Sequence, residues 1–295
     1  MTTLTGVYPF SPEEFSVSKD MKKHFDDKGY IIVKGLFDTE EMANLRKVFE
    51  DTDIIKENGY GVADEKGRKA SLLLWNQPGH DVSGMMSRCE KVVNTCEDLL
   101  DKGEIYHYHS KLLYKQPKNG GSIIWHQDYG YWYDNTCLFP DMMTVFVAID
   151  RCHKGNGCLQ LLPGSNKCGR IDHGRVEGQT RADLDRVNAI EKVCPKVYAE
   201  IDPGDAIFFH CNVLHRSSAN TSTDRRWAFL MTYNTKDNNP TTIHHHASYT
   251  PLHKVPNNAV RECTNYSDFS GKDFFDPTED SPKVAIIKTQ LTCER

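Results

Sequence analysis

The sequence lacks any long apolar run, any export signal and any paired-cysteine motif. No stretch of about 18 uninterrupted apolar residues occurs, so no transmembrane helix is expected. Residues 1–17 show no basic segment followed by an apolar run, so a secretory signal peptide is not expected either. The ten cysteines form no CxxC pair and no zinc-finger spacing. Together these absences predict a cytoplasmic protein with reduced thiols.

An excess of positive charge is also missing. The chain has 36 Lys and Arg residues against 41 Asp and Glu residues, which gives a net charge of −5. This balance argues against nucleic acid or a membrane surface as partners. A chain of 295 residues is long enough to bury a polar site. We therefore expect a small-molecule substrate as partner, and a protein that is a monomer or a homodimer.

The N-terminal part, about 1–104, indicates helices around a short strand. Asp38 offers an N-cap, and Glu41 three residues later completes a capping-box pattern. The Gly-rich and charged segment 59–67 predicts a mobile loop or lid. Helices are predicted over 18–27, 38–49 and 85–100, and a strand over 30–33.

From residue 105 onward the pattern changes to short strands separated by turn signals. Regularly spaced short strands favour a sandwich or barrel over a parallel α/β sheet. The segment 180–193 has a helical pattern, and the chain after 238 resembles irregular coil. We therefore predict one mainly β domain, with a core over about 105–240 and a C-terminal wrap over 241–295. Strands are predicted over 105–115, 123–126, 143–150, 158–162, 197–201, 206–211 and 227–234.

The segment around His126 and Asp128 carries the main chemical signal. On an extended strand, residues i and i+2 face the same side, so this imidazole and carboxylate could enter one cavity. A second histidine would complete three ligands on one face of an octahedron. The three open positions would then suit iron(II), with two for a chelating 2-oxo acid and one for O₂.

The second histidine is expected further along the chain. His215 follows the strand predicted over 206–211. His210 on that strand is a rival ligand, or a hydrogen-bonded core histidine. The hypothesis requires convergence, because a His215 more than about 6 Å from His126 and Asp128 would be far beyond any metal–ligand bond.

Arg226 lies eleven residues after His215 and opens the next predicted strand. Its planar guanidinium can grip a carboxylate through two parallel hydrogen bonds, with Ser217 as a supporting donor. The alternative is an ordinary surface cation at a strand edge. In the first interpretation Arg226 would hold the distal carboxylate of 2-oxoglutarate while the keto-acid end chelates the metal.

In this combination the sequence resembles the phytanoyl-CoA dioxygenase family of iron(II)/2-oxoglutarate oxygenases, and within it the L-proline trans-4-hydroxylase-like and ectoine hydroxylase branch. The resemblance implies a double-stranded β-helix, a cupin-like jelly roll, with flanking helices. It implies His126, Asp128 and His215 as catalytic iron ligands, and so favours His215 over His210. It also implies Arg226 and Ser217 at 2-oxoglutarate. The resemblance rests on segments 125–133, 156–160, 162–165, 203–205 and 214–226.

Several residues are candidates for the substrate pocket. Trp132 matches a family position that lines the cosubstrate and substrate pocket. Tyr129 and Tyr131 form an aromatic wall or pack in the core, and they would share one side if the strand continues. His109 resembles a pocket position of this branch, or is a structural histidine. Leu113 stands where ectoine hydroxylases carry an amide, which argues against ectoine as substrate.

Two further segments contain residues of interest. The tract 244–246, three consecutive histidines, is expected to be a solvated loop because of its Pro, Thr and Asn surroundings. Trp75 and Asn76 follow three leucines and could edge the substrate entrance.

The predicted function is hydroxylation of a small molecule, most simply a free amino or imino acid such as proline. The cofactors would be Fe(II), the cosubstrate 2-oxoglutarate and O₂. Asp128 favours hydroxylation, because related halogenases replace this carboxylate; desaturation and ring closure stay open. The alternatives are a fatty acyl or acyl-CoA hydroxylase, a catalytically silent protein that binds metal or 2-oxoglutarate, and a zinc hydrolase in which Arg226 would have no assigned task.

Overall fold

The structure is a computed structural model that describes residues 3–176 and 178–277. Within these residues the chain forms eight α-helices and fifteen strands. The helices are α1 (Lys19–Lys28), α2 (Thr39–Glu50), α3 (Ile54–Asn58), α4 (Val82–Arg88), α5 (Glu90–Leu100), α6 (Tyr129–Trp132), α7 (Leu184–Val193) and α8 (Ala259–Glu262). The strands are β1 (Val7–Pro9), β2 (Tyr30–Lys34), β3 (Tyr60–Ala63), β4 (Lys69–Asn76), β5 (Ile105–Lys115), β6 (Ile123–His126), β7 (Met142–Ala148), β8 (Leu159–Leu161), β9 (His173–Val176), β10 (Gln179–Ala182), β11 (Val197–Ala199), β12 (Ala206–His210), β13 (His215–Ser217), β14 (Arg226–Thr235) and β15 (Asp273–Phe274).

Two sheets build the body of the molecule. The main sheet has nine strands in the order β1-β2-β12-β7-β14-β5-β4-β15, with β3 also paired to β4. The smaller sheet has four strands in the order β11-β8-β13-β6. One apolar core contains residues of both sheets, among them Phe146 and Ile207 of the main sheet and Leu161 and Val197 of the smaller one. The two sheets therefore face each other, and the predicted mainly β fold with flanking helices is confirmed.

Side-chain alternation along β14 separates two environments. Phe229 and Met231 enter a core shared with the helices, for example with Leu45 of α2. Ala228 and Leu230 enter the core between the two sheets. Because successive strand residues point to opposite faces, the main sheet has an outer face covered by helices and an inner face that looks toward the small sheet.

The same alternation gives β5 its inner-face residues. Leu113 packs against the core between the sheets, whereas Leu112 enters the outer core. His109, Lys111 and Lys115 stand at even spacing from Leu113 and share its inner face. On β14, Thr232 pairs with His109 and Tyr233 pairs with His107. Tyr108 is therefore the extra residue of a β-bulge in β5.

The helices predicted over 18–27 and 38–49 are confirmed. Asp38 accepts hydrogen bonds from the backbone N–H of Glu40 and Glu41, and the Glu41 carboxylate accepts one from the Asp38 N–H at 2.9 Å. Gly29 ends α1 with φ of 81°, a left-handed conformation that a side chain would strain. The turn then leads directly into β2, as the sequence indicates.

Three sequence predictions in this fold were wrong in detail. The helix over 85–100 is broken at Cys89, whose extended backbone pairs with Val255 instead. The segment 59–67 is a hairpin of β3 with β4, because Asp64 accepts the N–H groups of Lys66 and Arg68 and closes the turn. The helical pattern over 180–193 begins as β10, and α7 starts only after Asp183, which caps it.

The C-terminal wrap adds only α8 and β15 as regular elements within the described residues, which end at 277. In the described part of the chain, no helix is both long and apolar enough to cross a membrane.

Candidate metal centre

Three side chains meet between the sheets. His126 ends β6 and His215 begins β13, and the two residues are paired across the small sheet. Nε2 of His126 lies 3.8 Å, and Nε2 of His215 3.9 Å, from Oδ1 of Asp128. The two imidazole rings are 4.1 Å apart between centroids. All three ligand atoms lie within 4.8 Å of one another, so the convergence required by the sequence hypothesis is met.

Asp128 reaches this site by a different route from the predicted one. The strand ends at His126, and Asp128 has helical angles (φ −58°, ψ −41°) at the start of α6. The turn is fixed by Gln127, whose amide nitrogen donates to the carbonyls of Gly169 and Asn212 at 2.8 Å each. The expectation of a continuing extended strand was therefore wrong, and the alternation predicted for the tyrosines does not apply.

The two histidines are prepared to bind a metal through Nε2. Nδ1 of His126 donates to the Ile124 carbonyl at 2.8 Å, and Nδ1 of His215 to the Val213 carbonyl at 3.0 Å. Such bonds fix the tautomer and the ring orientation and leave Nε2 with its lone pair. Burial lowers the pKa of His126 to about 3 and lowers the pKa of His215, so both imidazoles are neutral at physiological pH.

Hydrogen bonds hold both oxygens of the Asp128 carboxylate. The Tyr131 hydroxyl donates to Oδ1 at 2.6 Å, and the Thr144 hydroxyl donates to Oδ2 at 2.9 Å. Burial alone would raise the pKa of this carboxyl, but the charge of Lys111 and then His215 lower it to about 2. The aspartate is thus an oriented anion, and two neutral imidazoles with one carboxylate fit iron(II).

Arg226 lies on the inner face at the start of β14. It is 1% exposed, and its Nε has no hydrogen-bond partner among the described residues. Burial lowers the pKa of this guanidinium. Lys115 stands opposite it in the ladder and donates to the carbonyls of Ser217 and Ser218 at 3.4 and 2.5 Å. Arg226, Lys115 and Ser217 therefore share one end of the space between the sheets.

The predicted pocket residues separate into two groups. Trp132 is buried with an unpartnered Nε1, and its ring lies edge-on to His109 at 5.7 Å between centroids. Tyr131 adjoins the site through its bond to Asp128. Tyr129 instead donates to the carbonyl of Cys137 at 3.2 Å, and its ring packs edge-on to Tyr133 at 5.9 Å between centroids. The structure thus brings Trp132, His109 and Tyr131 together and gives Tyr129 a packing position.

The rival ligand His210 lies elsewhere. Its Nδ1 accepts the backbone N–H of Asn212 at 3.1 Å, and its ring is 6.1 Å from Phe25. The suggestion that Trp75 edges the substrate entrance was wrong, because this ring is fully buried and stacks on Phe229 in the outer core. His210 and Trp75 are thus accounted for by packing.

The prediction that 244–246 form a solvated loop was wrong for the last residue, His246. His246 is buried, and its ring stacks on His109 at 4.7 Å between centroids. Asn76 is also buried and donates to the carbonyl of His245 at 2.5 Å. The C-terminal segment therefore reaches the wall of the pocket, which its composition did not indicate.

Sequence reasoning missed Lys111, Lys115 and Thr144. A usable signal was present for the two lysines, because polar residues at alternate positions of β5 share the face of His109. For Thr144 no local signal exists, since β7 reads as a buried strand and only tertiary pairing places the hydroxyl beside Asp128.

Comparison with known proteins agrees with this geometry. L-proline trans-4-hydroxylase of Streptomyces griseoviridis is 28% identical over 238 residues, 75% of this chain and 88% of that protein. A probable alpha-ketoglutarate-dependent hypophosphite dioxygenase of Stutzerimonas stutzeri is 29% identical over 233 residues, 74% of this chain and 79% of that protein. The solved structure of EctD from S. alaskensis with bound Fe has a TM-score of 0.68 at 19% identity, and the match covers 84% of this chain and 94% of that one, which shows the shared jelly-roll fold.

The sequence profile of phytanoyl-CoA dioxygenase matches residues 25–228, more than half of the chain. This match agrees with the shared fold and with the geometry of His126, Asp128 and His215. The chain therefore belongs to the phytanoyl-CoA dioxygenase family and is a 2-oxoglutarate-dependent oxygenase.

Proposed function

We propose that the protein hydroxylates a free amino or imino acid, with Fe(II), 2-oxoglutarate and O₂. The observation that carries the proposal is that two features lie together in the space between the two sheets. One is the His126, Asp128 and His215 cluster, and the other is the buried Arg226 guanidinium without a carboxylate partner among the described residues. A zinc hydrolase would use the three metal-binding side chains, but the buried guanidinium would have no function in it.

In this proposal the three side chains hold the metal through Nε2 of each histidine and one oxygen of Asp128. The carbonyls of Ile124 and Val213 keep both rings in place, so that little reorganisation accompanies metal binding. Bound iron(II) would supply O₂ activation coupled to the oxidative decarboxylation of 2-oxoglutarate.

Arg226 would hold the distal carboxylate of 2-oxoglutarate. Its fork is suited to two parallel hydrogen bonds, and Ser217 and Lys115 lie at the same end of the cavity as further donors. The neighbouring inner-face residues Ala228 and Phe146 are fully buried and apolar, so this end excludes water. An ion pair formed there is screened less than one at the surface.

The substrate would lie on the side of Tyr131, Trp132 and His109. These residues offer two aromatic surfaces and a neutral imidazole, which suits a small ring or an aliphatic chain with polar groups. The similarity to L-proline trans-4-hydroxylase over 75% of the chain supports an imino or amino acid. Tyr131 would also orient the carboxylate of Asp128 through its hydroxyl.

The metal site can be tested by anaerobic reconstitution with Fe(II) and 2-oxoglutarate. The parent protein should develop a weak visible charge-transfer band, and His126→Ala should lose it because one of three ligands is gone. His210→Ala is the matched control, since this histidine is bonded to Asn212 and should leave the band intact. A band unchanged in His126→Ala would exclude this site.

The substrate class can be tested by succinate release in the presence of O₂. The screen covers amino acids, imino acids and acyl-CoAs, and product mass is read for the gain of one oxygen. Stimulation by an amino or imino acid is the expected result. Stimulation by acyl-CoAs alone would replace the proposal by the acyl-CoA alternative, and a band without any succinate would indicate a silent binder.

A further inference from the structure

Lys111 is a charged residue on the inner face that the proposed chemistry does not use. It stands on β5 between Leu230 of β14 and Leu74 of β4, and two positions from His109. Leu230 is two residues from Thr232, whose hydroxyl bonds Thr144 at 3.2 Å, and Thr144 in turn bonds Asp128. Lys111 therefore belongs to the part of the sheet that faces the metal centre, whereas Arg226 lies further along the same face.

The electrostatic effects of Lys111 agree with this placement. After burial, its charge is the largest influence on the pKa of Asp128, which it lowers, and it also acts on His215 and His246. Together with the inner-face position of Lys111 on β5, these effects indicate that its ammonium faces the cavity between the sheets.

No carboxylate of the described chain is available to Lys111. Its ammonium forms no hydrogen bond or ion pair with the residues that the structure describes. The nearby Asp128 is committed, because Tyr131 and Thr144 hold its two oxygens and it is the proposed metal ligand. The lysine is only partly buried, so its side chain can meet an anion from solution.

The side chain next along the same face also lacks a hydrogen-bond partner among the described residues. His109 is 1% exposed, and neither of its ring nitrogens has a hydrogen-bond partner among the described residues. Burial, followed by the neighbouring His246, lowers its pKa well below the usual range, so the ring is neutral. A neutral imidazole offers one hydrogen-bond donor and one acceptor. A buried imidazole with neither nitrogen bonded to the protein indicates that a ligand supplies the partners.

We propose that Lys111 anchors an anionic group of the primary substrate, a carboxylate or an oxyanion of similar size, with His109 as a second polar contact. The inference rests on the proposed function and restricts its substrate class to anions. The distal carboxylate of 2-oxoglutarate is a less suitable partner, because Arg226 and Lys115 lie at the other end of the cavity. Its keto-acid carboxylate would be held by the metal. Lys111 is thus a specificity residue of this site.

The test measures binding separately from turnover. The protein is loaded with Fe(II) and 2-oxoglutarate without O₂, and the visible band is followed as amino or imino acids are added. Each is compared with its primary amide, for example L-proline with L-prolinamide. We expect the carboxylates to perturb the band and the amides to do so only at much higher concentration.

Lys111→Met should weaken the binding of those carboxylates roughly 10- to 100-fold, the range of a charge-assisted hydrogen bond. Lys111→Gln should give a similar loss, and the affinity for 2-oxoglutarate should change little in either variant. Lys69→Met is the matched control, because Lys69 is exposed on the neighbouring strand β4. Melting temperatures near that of the parent show that the variants are folded.

Three results would overturn the inference while the proposed function stands. They are equal binding of amides and carboxylates, a Lys111→Met variant that loses 2-oxoglutarate instead, and a panel in which no carboxylate binds the parent. Absence of the band in the parent itself refutes the proposed function, and the inference falls with it.

Discussion

Buried cations occur on both faces of the main sheet, and the two faces treat them differently. On the outer side, Lys91 meets Glu41 at 2.6 Å and Lys272 meets Asp81 at 2.9 Å. On the inner side, Arg226 is equally buried and has no carboxylate partner within the described part of the chain. The outer cations are neutralised by the fold, and Arg226 is left for a ligand.

The difference follows from the free energy of burying charge. An isolated ion in a low-dielectric interior is strongly unfavourable, and a nearby opposite charge compensates only when its geometry is good. The Lys91 ammonium bonds both oxygens of Glu41, so its charge is compensated within the protein. For Arg226 that compensation would come from the carboxylate of 2-oxoglutarate. The free energy of pairing a buried charge thus contributes to folding stability on the outer face, and it would contribute to ligand affinity on the inner face.

The largest effect is expected from breaking the outer pair. Lys91→Met would leave Glu41 buried without its cation, and loss of one partner of a buried pair lowers the free energy of unfolding by about 3–5 kcal/mol. Urea denaturation measures this. The double variant Lys91→Met/Glu41→Gln should recover part of the loss, because the orphaned charge is removed. A loss below about 1 kcal/mol would show that this pair is not a stabilising element.

The inner cation should behave in the opposite way. Arg226→Leu should weaken the binding of 2-oxoglutarate about 100-fold, since an anion would lose its buried partner. The free energy of unfolding should stay the same or rise, because an uncompensated charge is removed. Arg225→Leu is the matched control, as this neighbour bonds Asp150 at 2.9 Å near the surface. Titration of the charge-transfer band and urea denaturation separate the two quantities, and a destabilised Arg226→Leu with normal affinity would contradict the comparison.

Much of this contrast could be predicted from the sequence where the signal is local. The capping box of Asp38 and Glu41 depends on spacing alone, and it is present as expected. The metal candidates His126, Asp128 and His215 were also named from sequence, because few patterns combine these residue types in this order.

What could not be predicted depends on contacts between distant segments. Asp128 enters the site from a helical turn that Gln127 fixes by bonds to residues 42 and 85 positions away. His246 reaches His109 across the C-terminal segment, although its neighbours are typical of a solvated loop. Whether a lysine forms an ion pair with a buried carboxylate likewise depends on tertiary structure. Lys91 and Lys111 therefore cannot be distinguished from the sequence.

A buried titratable group can also be tolerated without a partner ion if it stays neutral, and His107 on β5 is the example. Burial, followed by the charges of Lys272 and Arg88, lowers its pKa to about 3. In the unfolded chain a histidine titrates near pH 6.5, so between about pH 3 and 6.5 the unfolded state binds one proton more. The folded state is therefore favoured above this window and loses stability as the pH falls through it.

Within one pH unit the effect of His107 is the smallest of the three, and it has the most specific signature. His107→Gln, which can keep the bond to the Ser110 hydroxyl, should reduce the pH dependence of the unfolding free energy by about 1.4 kcal/mol per pH unit between pH 4 and 6. Measurement by urea denaturation in EDTA keeps metal binding out of the slope. His253→Gln is the control, because this histidine is exposed. An unchanged slope in His107→Gln would mean that the outer face, with Lys272 nearby, accommodates a protonated imidazole as well, and that partner ions are not what separates the two faces.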